Sequence, residues 1–255
     1  MKKLLIMIIL SILISITGCS NVDKNDQNNI ETETVILKEN NQESIIIDIE
    51  DDIIEYPVIR YSFIDIECIL QNPELPTGCE VTSLAIVLQY YGFNIDKCEL
   101  SDKYLPQGEI GTVTAYDAFI GNPRYDWCFG CYNSVIVETA EKILLDYDSK
   151  NEYIVEDISG TEFENLYDYI DKNIPIIIWA TIDMKESYYT KTWNINGKDF
   201  TWKAPLHCMV LTGYDISDNL VYVADPLVGN TVYELDTFKQ RYIEMYSQAV
   251  IIYKQ

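Results

Sequence analysis

Between residues 176 and 253 the apolar residues come in short runs cut by turn signals, and this pattern limits the fold more than any other feature of the chain. The runs cover 176–182, 207–213, 220–224, 231–235 and 247–253. Each has the length of a strand. Upstream the spacing changes. Val81, Leu84, Ala85, Leu88 and Tyr91 recur at helical intervals, and Gly92 stands where a helix C-cap belongs. Residues 134–147 and 162–172 read as second and third helices. Helices first and strands later predict an α+β class with an antiparallel sheet.

The 255 residues include one histidine, His207, and seven cysteines, with a formal net charge of −23. A zinc site built on two or three histidines is therefore excluded, and imidazole chemistry of any kind must use His207. With 41 acidic against 18 basic residues there is no clustered Lys/Arg surface for a phosphate backbone, so nucleic acid is not an expected partner. No cofactor is expected either.

The N-terminus carries Lys2 and Lys3, then an apolar run from Leu4 to Ile16 broken only by Ser11 and Ser15. The run falls short of the roughly 20 residues a spanning helix needs and fits the apolar region of an export signal. It ends Ile16-Thr17-Gly18-Cys19, which resembles the lipobox of bacterial lipoproteins. That resemblance implies cleavage after residue 18, acylation of Cys19 and anchoring of the mature chain on the outer face of the cell membrane. Residues 19–56 are rich in Asn, Gln, Asp and Glu and read as an acidic tether, although 44–49 and 53–54 could add an edge strand to the domain. Residues 57–255 form the expected globular domain, acting as a monomer.

His207 opens one strand, and Asp225 closes the next, just before Pro226. The turn material at 216–219 makes these strands a hairpin. A turn centred near residue 216 brings Asp225 opposite or diagonal to His207, within roughly 5–8 Å. A carboxylate there would fix the tautomer of the imidazole and support its charged form. The matching nucleophile is Cys79, which follows the irregular loop Pro73 to Gly78 and sits at the start of the first helix. The positive helix end and a neighbouring imidazolium are expected to lower the pKa of its thiol. Acyl transfer also needs oxyanion donors, for which the backbone N–H of Cys79 and the side-chain amide of Gln71 are the candidates.

The pattern Gln71…Gly78-Cys79-Glu80-x-Thr82-Ser83-Leu84-Ala85…Tyr91-Gly92, then Pro205-x-His207-x-Met209-Val210…Gly213-Tyr214-Asp215, then Asp225-Pro226, resembles the C-39-like cysteine peptidases, relatives of the bacteriocin-processing, double-glycine peptidases. Residues 119–123, Phe-Ile-Gly-Asn-Pro, match the central segment of that family. The resemblance implies a papain-like fold, with a helix bearing the cysteine packed on a sheet bearing the histidine and aspartate. It makes Cys79 the nucleophile, His207 the general base and acid, Asp225 its orienting group and Gln71 the oxyanion glutamine. The expected function is a membrane-anchored extracellular cysteine peptidase. The expected partners are a peptide or protein substrate, cell-wall peptide included, and the bacterial membrane through lipid on Cys19. The alternative is a non-catalytic peptide- or wall-binding lipoprotein on the same fold.

Cys128-Phe129-Gly130-Cys131 is expected to be a local disulfide or two separate thiols. Cys68 with Cys98 is a further possible pair. Cys208 alternates with His207 and is expected to be a buried small hydrophobe on the opposite face. Tyr188, Tyr189, Trp193 and Trp202 flank a hairpin turned at Asn196-Gly197, readable either as packed aromatics or as a substrate-facing flap.

Overall fold

A computed structural model describes the backbone of residues 33–39, 42–49 and 52–57 and the whole of residues 60–255. The apolar run at 4–16 and Cys19 lie outside the described residues. The chain divides between Val58 and Ile59. In the first unit, strands β1 (Glu33–Glu39), β2 (Gln42–Ile49) and β3 (Asp52–Pro57) pair antiparallel in that order. The acidic stretch thus carries a sheet of its own, with 44–49 in its middle strand.

The second unit contains, in order, β4 (Tyr61–Phe63), α1 (Cys79–Tyr90), α2 (Lys97–Glu99), β5 (Gln107–Gly108), β6 (Phe119–Ile120), α3 (Asn133–Tyr147), β7 (Tyr153–Asp157), α4 (Tyr167–Ile170), β8 (Ile176–Thr181), β9 (Tyr188–Ile195), β10 (Lys198–Ala204), β11 (Leu206–Asp215), β12 (Leu220–Asp225), β13 (Gly229–Glu234), α5 (Leu235–Glu244) and β14 (Ala249–Lys254). Its main sheet has the order β13-β12-β11-β8-β14-β7, with β4 paired to the far end of β11. Every pairing in it is antiparallel.

Alternation along the strands divides the core in two. Ile177, Trp179, Cys208, Val210, Val250 and Ile252 pack in one cluster with the buried residues of α1 and α3. Their strand neighbours Ile176, Ile178, Ala180, Met209, Leu211 and Ile251 pack in another with Leu235, Phe238 and Tyr242 of α5. Successive strand residues point to opposite faces, so a sheet covered on both sides reads as continuous apolar runs. Helix α1 is buried from Cys79 to Leu88, which explains the unbroken apolar run from Leu84 to Leu88 and encloses Glu80, Thr82 and Ser83 as well. It closes as expected, with Gly92 at φ +86° and its N–H bonded to Gln89 O at 2.9 Å.

Two expectations change. Residues 163–166 form a 3₁₀ turn leading into the short α4, in place of one helix over 162–172. Helix α5 has no counterpart among the expected elements: the strand expected to end at residue 235 gives way there to a helix capped by Glu234, whose side chain accepts from Thr237 N at 2.9 Å. Leu235, Phe238 and Tyr242 carry the apolar spacing that marks it.

Strand β11 holds a bulge between Leu211 and Gly213. Before the bulge Val210 faces Ala224, and after it Gly213 faces Tyr222. The carbonyl of the extra residue, Thr212, accepts from Ile64 N at 2.7 Å and so serves the end of β4.

Candidate active site

Cys79 opens α1 directly after Gly78, with no side-chain cap ahead of it. Gly78 is packed so closely that a Cβ there would lie 2.8 Å from Leu75 Cβ and 3.1 Å from Pro123 Cβ. The loop is fixed from below by Lys97, a buried ammonium. Lys97 Nζ donates to Leu70 O, to Gln71 O at 3.0 Å and to Glu74 Oε2 at 2.8 Å. The backbone N–H of Gln71 donates to Pro226 O at 2.8 Å, which ties the loop to the end of β12 beside Asp225. The Gln71 side chain is buried, its Nε2 donates to Pro76 O at 2.7 Å, and its Oε1 has no partner.

His207 and Asp225 meet as expected. His207 Nε2 donates to Asp225 Oδ1 at 2.7 Å, with both side chains buried. They are diagonal neighbours, because extending the Val210–Ala224 register sets Met209 opposite Asp225. The carboxylate has two further donors that sequence reasoning missed, Tyr233 Oη at 2.7 Å and Leu227 N at 2.8 Å. Burial pulls the Asp225 carboxyl upward, but the bonds from His207, Tyr233 and Leu227 outweigh it and hold the group below the usual carboxylate range. Asp225 therefore stays ionised and accepting. That fixes the proton of His207 on Nε2 and leaves Nδ1 for proton exchange.

Cys79 Sγ stands 3.4 Å from the backbone N of Cys208, the residue after His207. Its proton, however, goes to Glu80 Oε2 at 3.3 Å and not to the imidazole. Burial first, and then the Glu80 carboxylate, push the Cys79 thiol well above its ordinary value. This corrects the expectation of a lowered thiol pKa. At this helix end desolvation and an adjacent anion outweigh the dipole. Glu80 is itself fully buried and raised to about 7 by that burial, against the bond it accepts from Cys131 N at 2.8 Å. Gly130 makes the fit possible, since a Cβ there would come within 2.3 Å of Glu80 Oε1.

The six described cysteines are all thiols. Cys128 Sγ accepts from Asn122 N at 3.2 Å while Cys131 lies in the core, so the CxxC segment holds two separate thiols facing different surroundings. Cys68 is not joined to Cys98. Its thiol donates to Asp225 O at 3.4 Å, and burial with the Asp225 charge raises it to about 12. Cys208 is buried in the cluster beneath α1, as expected. The β9–β10 hairpin turns at Asn196 and Gly197, both at positive φ. Trp202 stacks on Tyr132 at 6.0 Å and Trp193 meets Phe129 edge-on at 5.0 Å, so the tryptophans are packing residues. Tyr188 and Tyr189 remain exposed.

The model of the Peptidase_C39 like family matches residues 63–250, most of the chain and all of the residues just described. The chain belongs to this family. Among relatives of the C39-like chain is the uncharacterized protein YvpB of Bacillus subtilis (strain 168), 28% identical over 196 residues, or 72% of each chain. A crystal structure of a candidate C39-like peptidase from Bacillus anthracis superposes with a TM-score of 0.68 at 29% identity, covering 77% of this chain and 98% of the other. The peptidase domain of Streptococcus ComA gives a TM-score of 0.44 at 18% identity, over 74% and 98%. The α+β architecture is that of the C39 papain-like peptidases, and family and fold together support a peptidase function.

Proposed function

We propose that this chain is a membrane-anchored extracellular cysteine peptidase with Cys79 as nucleophile and His207 as general base and acid. The supporting observation is the buried His207–Asp225 pair at 2.7 Å, with Cys79 Sγ held against the amide of the next residue. In the proposed reaction the thiol proton passes to His207 Nδ1 as sulfur attacks the substrate carbonyl carbon. The resulting oxyanion is met by the backbone N–H of Cys79 and by the Gln71 amide proton left after its bond to Pro76. The imidazolium protonates the leaving amine and the C–N bond breaks to give a thioester. Water, deprotonated by His207, then releases the acid and returns the thiol.

The test is a peptide-library cleavage profile with alkylation by iodoacetamide or E-64. Wild-type protein should cleave and be labelled at Cys79, Cys79→Ser should do neither, and His207→Ala should slow labelling. Cleavage surviving in Cys79→Ser refutes the assignment. Zymography on cell walls distinguishes wall peptide from protein substrates. Anchoring through Cys19 predicts that Cys19→Ser loses lipid labelling.

A second reading rests on the thiol bonded to Glu80. A nucleophile kept neutral by a neighbouring carboxylate suits a peptide- or wall-binding lipoprotein that does not turn over. Ligand capture unchanged by Cys79→Ser, without cleavage of any library peptide, would support it.

A further inference from the structure

Beside the loop that delivers Cys79 lies a groove of about 440 Å³, lined among others by Gly108, Glu109, Ile110, Asn122, Tyr125 and Trp127. That volume suits a ligand side chain with its flanking backbone. One wall is joined to the nucleophile loop. Thr77, two residues before Cys79, donates from N to Pro123 O at 3.3 Å and from Oγ1 to Tyr125 O at 3.0 Å. We infer that this groove is a subsite for a basic side chain, lysine or arginine, of a peptide bound to the site. The inference rests on the peptide-directed reading above and adds the chemistry of one recognised residue.

Three observations carry it. The rings of Tyr125 and Trp127 stack at 5.5 Å and 14°, yet 53% and 63% of their surfaces are exposed. Two rigid, parallel, open aromatic rings give a cation a π-face to sit over. Glu109 adds a carboxylate to the same lining, and among the described residues no lysine or arginine pairs with it. The arginine within the lining loop, Arg124, does not fill the groove's need for a cation. Its Nε and Nη2 are committed to the two oxygens of Asp102 at 2.9 and 2.6 Å. The formal charge of −23 adds long-range attraction for a cationic peptide.

The test uses the full chain carrying Cys79→Ala and a series of octa-alanine peptides in which one lysine, arginine or acetyl-lysine is walked through each position. At one or two positions lysine and arginine should bind about five- to tenfold tighter than acetyl-lysine, a preference that shrinks as salt rises. Glu109→Gln and Trp127→Ala should each reduce the preference below about twofold without moving the thermal midpoint. Equal binding at every position, or a preference that survives both substitutions, overturns the inference. The cleavage assay on wild type is read separately. Peptide hydrolysis without basic preference sinks only this subsite. Basic preference without hydrolysis sinks only the peptidase reading.

Discussion

The substitution Glu80→Gln should make the protein more stable at neutral pH and its Cys79 more reactive. The buried carboxyl titrates near 7, against an ordinary 4.5. A carboxyl raised on folding binds its proton more tightly in the folded chain, so stability falls as pH rises from about 4.5 to 7 and is level above that. The displacement corresponds to about 3 kcal/mol lost across that window. The introduced amide keeps an acceptor for Cys131 N–H and carries no charge, so the difference in unfolding free energy between variant and wild type should grow by about this amount between pH 4.5 and 7. The same carboxylate lies 3.3 Å from the sulfur. At an effective dielectric constant of about 20, a unit charge at that distance opposes thiolate formation by about 5 kcal/mol. Much of the elevation comes from burial and persists, so alkylation of Cys79 at pH 8 should speed up by about tenfold rather than by the full Coulombic amount. Urea unfolding across pH measures the first effect, and mass-spectrometric labelling rates the second. Parallel stability curves with equal labelling rates would show that Glu80 is not ionised beside the thiol, and would refute the reasoning.

Other consequences can be measured with the same tools. Asp225→Asn removes the acceptor that sets the His207 tautomer, and the kcat/KM of peptide hydrolysis should fall at least about 10²-fold. Because the Asp225 carboxyl lies below its unfolded value, its stabilising contribution is complete above about pH 4 and is lost on acidification; the stability gap between wild type and Asp225→Asn should therefore hold down to about pH 4 and narrow as the pH falls further. Tyr233→Phe removes a bond to that buried charge and should cost about 1.5–3 kcal/mol in urea unfolding. Gly130→Ala forces a methyl toward Glu80 Oε1 and Trp202 from a φ of +148°, and should lower the thermal midpoint by several degrees, about 1–3 kcal/mol.

Much of the second unit was legible because its elements are long or strongly patterned. The start of α1, the C-cap at Gly92, the β9–β10 turn and strands β8, β11, β12 and β14 follow from periodicity and turn chemistry alone. Helix α5 was hidden because it starts within an apolar run that also reads as strand, and its Glu234 cap lies on the strand side of the boundary. Among site residues, Cys79, His207 and Asp225 were visible through order and turn placement. Lys97 and Tyr233 were not, since a lone lysine or tyrosine carries no pattern. Glu80 had a signal that could have been used: an acidic residue in a largely apolar helix, one position after the proposed nucleophile, has little solvent-facing surface to occupy. The direction of the thiol's pKa depended on that burial, which no spacing rule supplies.

The bulge in β11 decides which side of the sheet the acid occupies. Between Leu211 and Gly213 the strand takes in one residue more than its partner. Side chains alternate faces with a period of two, so a shift of one residue changes parity. If the pairing of Gly213 with Tyr222 ran on without the bulge, Asp225 would lie across from Val210, on the α1 side, while His207 pointed to the other. The histidine and its carboxylate share a face because of a single uncompensated residue near the middle of the strand. Deleting Thr212 would remove the bulge yet keep Leu211 opposite Val223 and Gly213 opposite Tyr222, so the pair would survive it, as it would survive length changes in the 216–219 turn, outside both registers. What would take the pair apart is Thr212 drawn into the ladder opposite Val223, which moves every residue before it by one position.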